Sequence, residues 1–148
     1  AALLNEVGLG PWDAERATTA IKGAVQDGVI FAVHEASGDI VATAVAQPQP
    51  PPHHPEGGEL GWVGVAKAHR GHGLGACVSA VATKVFLDAG IRHIYLRTDD
   101  RRLPAIKTYI NLGFRPLLFL PDMEDRWQAV SRQLKLDFET LGAIRKKH

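Results

Sequence analysis

Six residues, Arg70-Gly71-His72-Gly73-Leu74-Gly75, set three glycines between an apolar strand-like run and a long helical pattern. A glycine-rich turn that opens a helix offers backbone N–H groups with no intrahelical partner, at the positive end of the helix dipole. Phosphate is the natural occupant of such a place, and glycine lets the backbone approach an oxygen closely at φ > 0. Letter by letter, Gly71-x-Gly73-x-x-Ala76 also meets the dinucleotide fingerprint, and Asp99 ends the following strand where a ribose-binding acid is expected. The turn lies mid-chain, however, behind an antiparallel hairpin rather than in a first β-α unit. The chain is also short for two mononucleotide halves and a substrate site. Seven histidines raise a metal hypothesis. His53-His54 lies in a proline loop without regular geometry, and His69-x-x-His72 lies in the phosphate turn, where a cation would compete with the phosphate. Neither has an acid or cysteine at a supporting spacing, so no metal is expected.

The elements that position this turn follow from periodicity. Pro11 suits the first turn of a helix, with Ala14, Ala17, Ile21 and Val25 at helical spacing up to Gly28. Val29 to Glu35 reads as a strand, Ser37-Gly38-Asp39 as a hairpin turn, and Ile40 to Ala46 as the partner strand. Gln47 to Gly58 holds five prolines and is expected as an exposed loop. Leu60 to Ala66 is a strand running into the glycine turn. Leu74, Cys77, Val78, Val81, Ala82, Val85 and Phe86 then form one apolar helix face that ends at Gly90, so Cys77 reads as core. Ile91 to Arg97 is a strand. Pro104 opens a helix through Leu112, stopped by Gly113, and Phe114 to Leu120 is another strand. Asp122 caps a last helix with a core stripe of Met123, Trp127, Val130 and Leu134. The expected fold is α/β: a mixed, mostly antiparallel sheet with one β-α-β crossover, flanked by helices.

Composition bounds the partners. A chain of 148 residues with 45% hydrophobic and 22% charged residues reads as one soluble domain, 1–148. The start at Ala1 leaves room for a missing or degenerate N-terminal strand. A net charge of +1 gives no footprint for nucleic acid, and the tail Arg145-Lys146-Lys147-His148 reads as a solvated end. No membrane span or secretory signal is evident, and a single cysteine points to a reducing, cytoplasmic setting. A homodimer is compatible with this composition.

The longer pattern Arg70-x-x-Gly73-x-Gly75, followed by Ala105-x-x-x-Tyr109-x-x-x-Gly113-Phe114, resembles the GNAT superfamily of N-acetyltransferases. The resemblance spans about Val29 to Leu120, and the element order agrees throughout. It implies a β-α-β acyl-CoA-binding core with acetyl-CoA as cosubstrate, its pyrophosphate on the turn from Arg70 through Gly71, His72, Gly73, Leu74 and Gly75. It also implies a pantetheine arm between the strands before and after the long helix, held by main chain near Val63 and Val65, with an oxyanion donor near Val63. Glu59 precedes the turn by the spacing of the general base in histone-acetyltransferase-like members. Tyr109 takes the position of the tyrosine that serves the departing thiolate. Arg102 stands where the family often carries a cofactor-contacting asparagine, and an arginine there can still meet the CoA phosphates or pantetheine. The run Thr98 to Arg102 reads either as substrate-facing or as a solvated loop with internal ion pairs. The implied activity is acetyl transfer to an amine of a small-molecule or peptide acceptor by direct attack in a ternary complex. The alternatives are a non-catalytic acyl-CoA sensor and a small nucleotide-binding domain.

Overall fold

The computed structural model describes residues 1–48 and 57–145. Most of the expected proline loop, His53-His54, and the tail residues Lys146 to His148 lie outside the described residues. The chain divides into two compact units, Ala1–Arg97 and Thr98–His148.

The first unit is built on a four-stranded sheet in the order β1 (Val29–Val33), β2 (Ile40–Gln47), β3 (Gly58–Val65), β4 (Ile94–Tyr95). β1, β2 and β3 pair antiparallel, and β4 joins β3 parallel, which bears out the mixed, mostly antiparallel sheet. α3 (Leu74–Asp88) makes the crossover and packs on the face of Ala42, Ala44 and Ala46, whose small side chains let the helix come close. Its buried stripe is Val78, Ser79, Ala82 and Phe86. Cys77 and Val81, expected in that stripe, are exposed. They are one helical turn apart, about 100° round from Val78 and Ala82, so they fall off the edge of the apolar face. On the opposite face, α1 (Ala2–Glu6), which the apolar spacing did not reveal, packs over β3 with Leu4 and Val7 against Gly64. α2 (Ala14–Lys22) starts later than Pro11; Asp13 caps it by accepting from the Arg16 N–H at 2.8 Å.

Two expected strands are much shorter. Of Ile91 to Arg97, only Ile94–Tyr95 pairs, against Gly58 and Glu59, because β3 and β4 part beyond that point. Of Phe114 to Leu120, only β5 (Leu117–Leu118) forms, in a separate parallel pair with β6 (Ile144–Arg145) of the second unit. Pro116, fully buried just before it, has no N–H to give a ladder. The second unit also holds α4 (Leu103–Asn111) and α5 (Met123–Leu134), around Ile106, Leu118, Val130 and Phe138. Asp122 stands at the N-cap of α5 but makes no capping bond; Arg126 draws its carboxylate aside at 3.4 Å.

Candidate active site

β3 carries an irregularity that the sequence does not announce. Thr43 opposes Gly64 and Val45 opposes Gly61, so Ala44 faces both Trp62 and Val63. This is a β-bulge, with Trp62 at φ 53°. The Ala66 N–H donates to the Val41 carbonyl on β2 at 2.8 Å. Peptide groups alternate between the two edges of a regular strand, so that of Val65, one residue before Ala66, turns to the edge that β4 has left, where its carbonyl accepts from Arg70. Beyond Glu59, no described strand pairs with β3 on the side of β4.

A short 3-10 turn, Lys67–His69, leads from β3 into the glycine turn. Gly71 and Gly73 have φ 82° and 76°, conformations that residues with a Cβ adopt at a cost. A Cβ added at either meets nothing within 4 Å. Gly73 is the N-cap of α3 and provides no side-chain cap. Among the described residues, the N–H groups of Gly71, His72 and Gly73 have no acceptor, and those at the start of α3, at Leu74 and Gly75, are uncapped. This is the donor set that a pyrophosphate requires, with space beside it. Gly75 lies over Val65, at 3.5 Å from its Cγ2 to an added Cβ, which seats the helix start on the end of β3. Arg70 serves the turn from inside: its Nε donates to the Val65 carbonyl at 3.2 Å. His72 donates from Nδ1 to the His69 carbonyl at 3.3 Å.

Glu59 is buried at the last paired position of β3 and β4. Its Oε1 accepts from Arg97 Nε at 3.0 Å, and its Oε2 accepts from Arg97 Nη2 at 2.9 Å and from the Tyr95 hydroxyl at 3.2 Å. Arg97 closes a two-point fork on the carboxylate while its own side chain is 78% exposed. Burial first, and then the Glu59 charge, holds the Tyr95 hydroxyl protonated above the usual tyrosine range. The hydrogen bond to Glu59 raises Arg97. Sequence reasoning missed both partners. Their link to Glu59 comes from the strand register: Tyr95 opposes Glu59, and Arg97, two residues on, shares its face.

In the second unit, the Ala105 to Phe114 pattern resolves into a helix cap. The Phe114 N–H returns to the Tyr109 carbonyl at 3.0 Å and the Gly113 N–H to Ile110 at 2.9 Å, with Gly113 at φ 91°. This is a Schellman motif, and the Tyr109 and Phe114 rings meet edge-on at 6.1 Å as its apolar contact. The spacing from tyrosine to glycine-phenylalanine thus fixes how the Tyr109 ring is held. Burial raises the Tyr109 hydroxyl above its usual range, against the charge of Arg102. Arg102, the N-cap residue of α4, pairs with Asp99 at 3.2 Å, and Asp100 takes a fork from Arg126 at 2.9 and 3.0 Å. The charged run from Thr98 is therefore laced by ion pairs, and Asp99, the acid a ribose would need, is engaged. Among the described residues no cluster of metal ligands occurs, and no helix is long and apolar enough to cross a membrane.

The first unit thus sets an antiparallel sheet, parted from its one parallel strand, beside an uncapped glycine turn. The sequence profile of the acetyltransferase (GNAT) family matches residues 3–114, and the chain belongs to that family. It is 34% identical to a mycothiol acetyltransferase of Parafrankia sp. over 49% of its own length and 26% of that protein's. The chain thus matches about a quarter or less of the length of the curated relatives it resembles. A GCN5-related N-acetyltransferase of Sphaerobacter thermophilus superimposes with a TM-score of 0.61 at 26% identity, covering 76% of this chain and 35% of that one. A diaminobutyrate acetyltransferase of Paenibacillus lautus, in complex with L-2,4-diaminobutyric acid and coenzyme A, shares the fold. Its TM-score is 0.60 at 20% identity, over 76% of this chain and 65% of that one.

Proposed function

We propose that the chain, acting over 1–148 as one acetyltransferase domain, transfers the acetyl group of acetyl-CoA to an amine of a small-molecule or peptide acceptor within a ternary complex. One observation carries this reading: β3, unpaired on the β4 side beyond Glu59 and bulged at Trp62–Val63, leads through one short 3-10 turn, Lys67–His69, into the uncapped turn at Gly71 to Gly75. Acetyl-CoA supplies an activated thioester. The N–H groups from Gly71 to Gly75 hold its pyrophosphate, Arg70 and His72 flank it, and the main chain of Val63 and Val65 aligns the arm. Arg102 is a further cofactor contact. The Val63 N–H donates to the thioester oxygen as charge develops there. Glu59 takes the proton of the amine, directly or through a water. Arg97 and Tyr95 fill two acceptor positions on Oε2 and one on Oε1, so the remaining position on Oε1 does this work. The amine nitrogen bonds to the acyl carbon, the carbon–sulfur bond breaks, and the sulfur keeps the electron pair. Tyr109, its hydroxyl held protonated by burial, then supplies the proton to the thiolate.

The single cysteine supports a cytoplasmic setting, and no nucleic acid, membrane or metal enters the reading; a homodimer is compatible with it. The test is thiol release from acetyl-CoA across an amine panel. Turnover that depends on the amine supports transfer. CoA binding with no turnover on any amine would point instead to an acyl-CoA sensor.

A further inference from the structure

Beside the bulge, on the face away from α3, the first unit holds a preassembled cation. Trp62, turned at φ 53°, meets Trp12 edge-on, with ring centroids 4.5 Å apart. Trp12 is locked from three directions. Asn5 Nδ2 donates to its carbonyl at 2.8 Å, its N–H donates to Asn5 Oδ1 at 2.7 Å, and its indole Nε1 donates to the Leu9 carbonyl at 2.8 Å. The Arg16 guanidinium lies over both rings, 4.7 Å from the Trp12 centroid and 5.6 Å from that of Trp62. Its Nη1 donates to the Pro11 carbonyl at 2.7 Å.

Arg16 stands in the first turn of α2, where the helix dipole disfavours a positive charge. Among the described residues it makes no ion pair, and the nearby Asp13 carboxylate is spent on capping the helix. The guanidinium is nevertheless exposed and keeps most of its donors toward solvent. A cation fixed by two indoles and a carbonyl loses little freedom when it takes a planar anion; the charges beside it at the helix start are the Asp13 cap and Glu15. The position is specific as well: Trp62, which Arg16 covers, is the chain neighbour of Val63, the proposed oxyanion donor.

We propose that Arg16, held against Trp12 and Trp62, recognises an anionic group, a carboxylate or a phosphate, carried by the amine acceptor. This rests on the reading of Val63 as the reacting centre. The acceptor is then an amine with a negative group set off from the nitrogen. Simple amines of equal size are poor substrates.

The experiment compares matched pairs: an ω-amino acid with its carboxamide, and an aminoalkyl phosphate with the corresponding amino alcohol. Binding to the free and the CoA-loaded protein is read from tryptophan fluorescence and calorimetry, and turnover from CoA release. A charge-assisted contact to a held guanidinium favours the anionic member by about 10- to 100-fold in affinity. Whichever arm shows the preference identifies the anion. Arg16→Gln brings the ratio toward one, chiefly through KM for the anionic member, and Arg16→Lys restores part of it. Equal binding of both members in both pairs to wild-type protein overturns the proposal, as does a preference that survives Arg16→Gln in a variant with a wild-type fold. If the anionic members bind selectively yet no amine is acetylated, the anion site stands and the acetyltransferase reading falls.

Discussion

Glu59→Gln separates chemistry from architecture at the one carboxylate placed between β3 and β4. Glutamine keeps the shape and one acceptor oxygen. Its amide nitrogen cannot accept, so one arm of the Arg97 fork, or the Tyr95 hydroxyl, loses its partner. A hydrogen bond to a buried charge contributes about 1.5–3 kcal/mol, while an exposed ion pair contributes roughly 0.2–1 kcal/mol. Glu59 is 9% exposed and Arg97 78%, so solvent screens one end of the pair and a loss of about 1–2 kcal/mol is expected. For a chain of this size that lowers Tm by about 2–8 °C. Such a loss leaves nearly all molecules folded at 25 °C and cannot itself slow turnover appreciably. Removing a general base costs about 100-fold or more in kcat, equivalent to about 2.7 kcal/mol of barrier. The assay pairs CoA release at saturating acetyl-CoA and acceptor with a thermal melt of the same sample. A melt lowered as stated, with kcat within threefold of wild type, would refute the base and leave Glu59 as a strut between the strands.

Four further outcomes follow from the same geometry. Tyr109→Phe removes a half-buried hydroxyl that has no hydrogen-bond partner among the described residues, so kcat should fall by about 100-fold while Tm moves by less than about 2 °C. Tyr109 and Tyr95 are both raised in the folded chain, so between the unfolded and folded values the native state binds more protons than the unfolded one. The stability these two tyrosines contribute should therefore be constant below pH about 10 and be lost as pH rises through and beyond it, a trend that urea melts across alkaline pH would measure. Phe114→Ala removes the ring that braces Tyr109 in the Schellman cap; it should lower Tm by about 2–6 °C and reduce kcat, with Phe114→Leu intermediate in both. Gly73→Ala forces a Cβ to φ 76°, which costs about 1–2 kcal/mol, and projects it into the space beside the donors. CoA affinity should drop at least about tenfold by calorimetry.

Where a residue's neighbours in sequence decide its state, the sequence was legible. The hairpin, the strand into the turn, the glycine turn and the helix cap at Gly113 all follow from local spacing, and each is found. What was hidden depends on partners distant in the chain. The shortness of β4 reflects its parting from β3 rather than any weakness in Ile91 to Arg97. The Trp62–Val63 bulge is a mismatch between strands and leaves no mark in either one alone. Cys77 was misplaced because apolar character extends further round α3 than the surface that covers it. The fork of Arg97 on Glu59 joins residues 38 apart and needed the register before it could be read. Arg16 went unnoticed because its significance comes from two indoles brought together by different elements.

The central claim is that the turn from Arg70 to Gly75 holds the pyrophosphate of CoA. Titration calorimetry of the protein with CoA, with pantetheine, which lacks the phosphates, and with NAD tests it most directly. The account predicts a CoA affinity at least about tenfold tighter than either of the others. Equal binding of pantetheine would remove the phosphate contact, and equal or tighter binding of NAD would restore the dinucleotide reading of the same glycines.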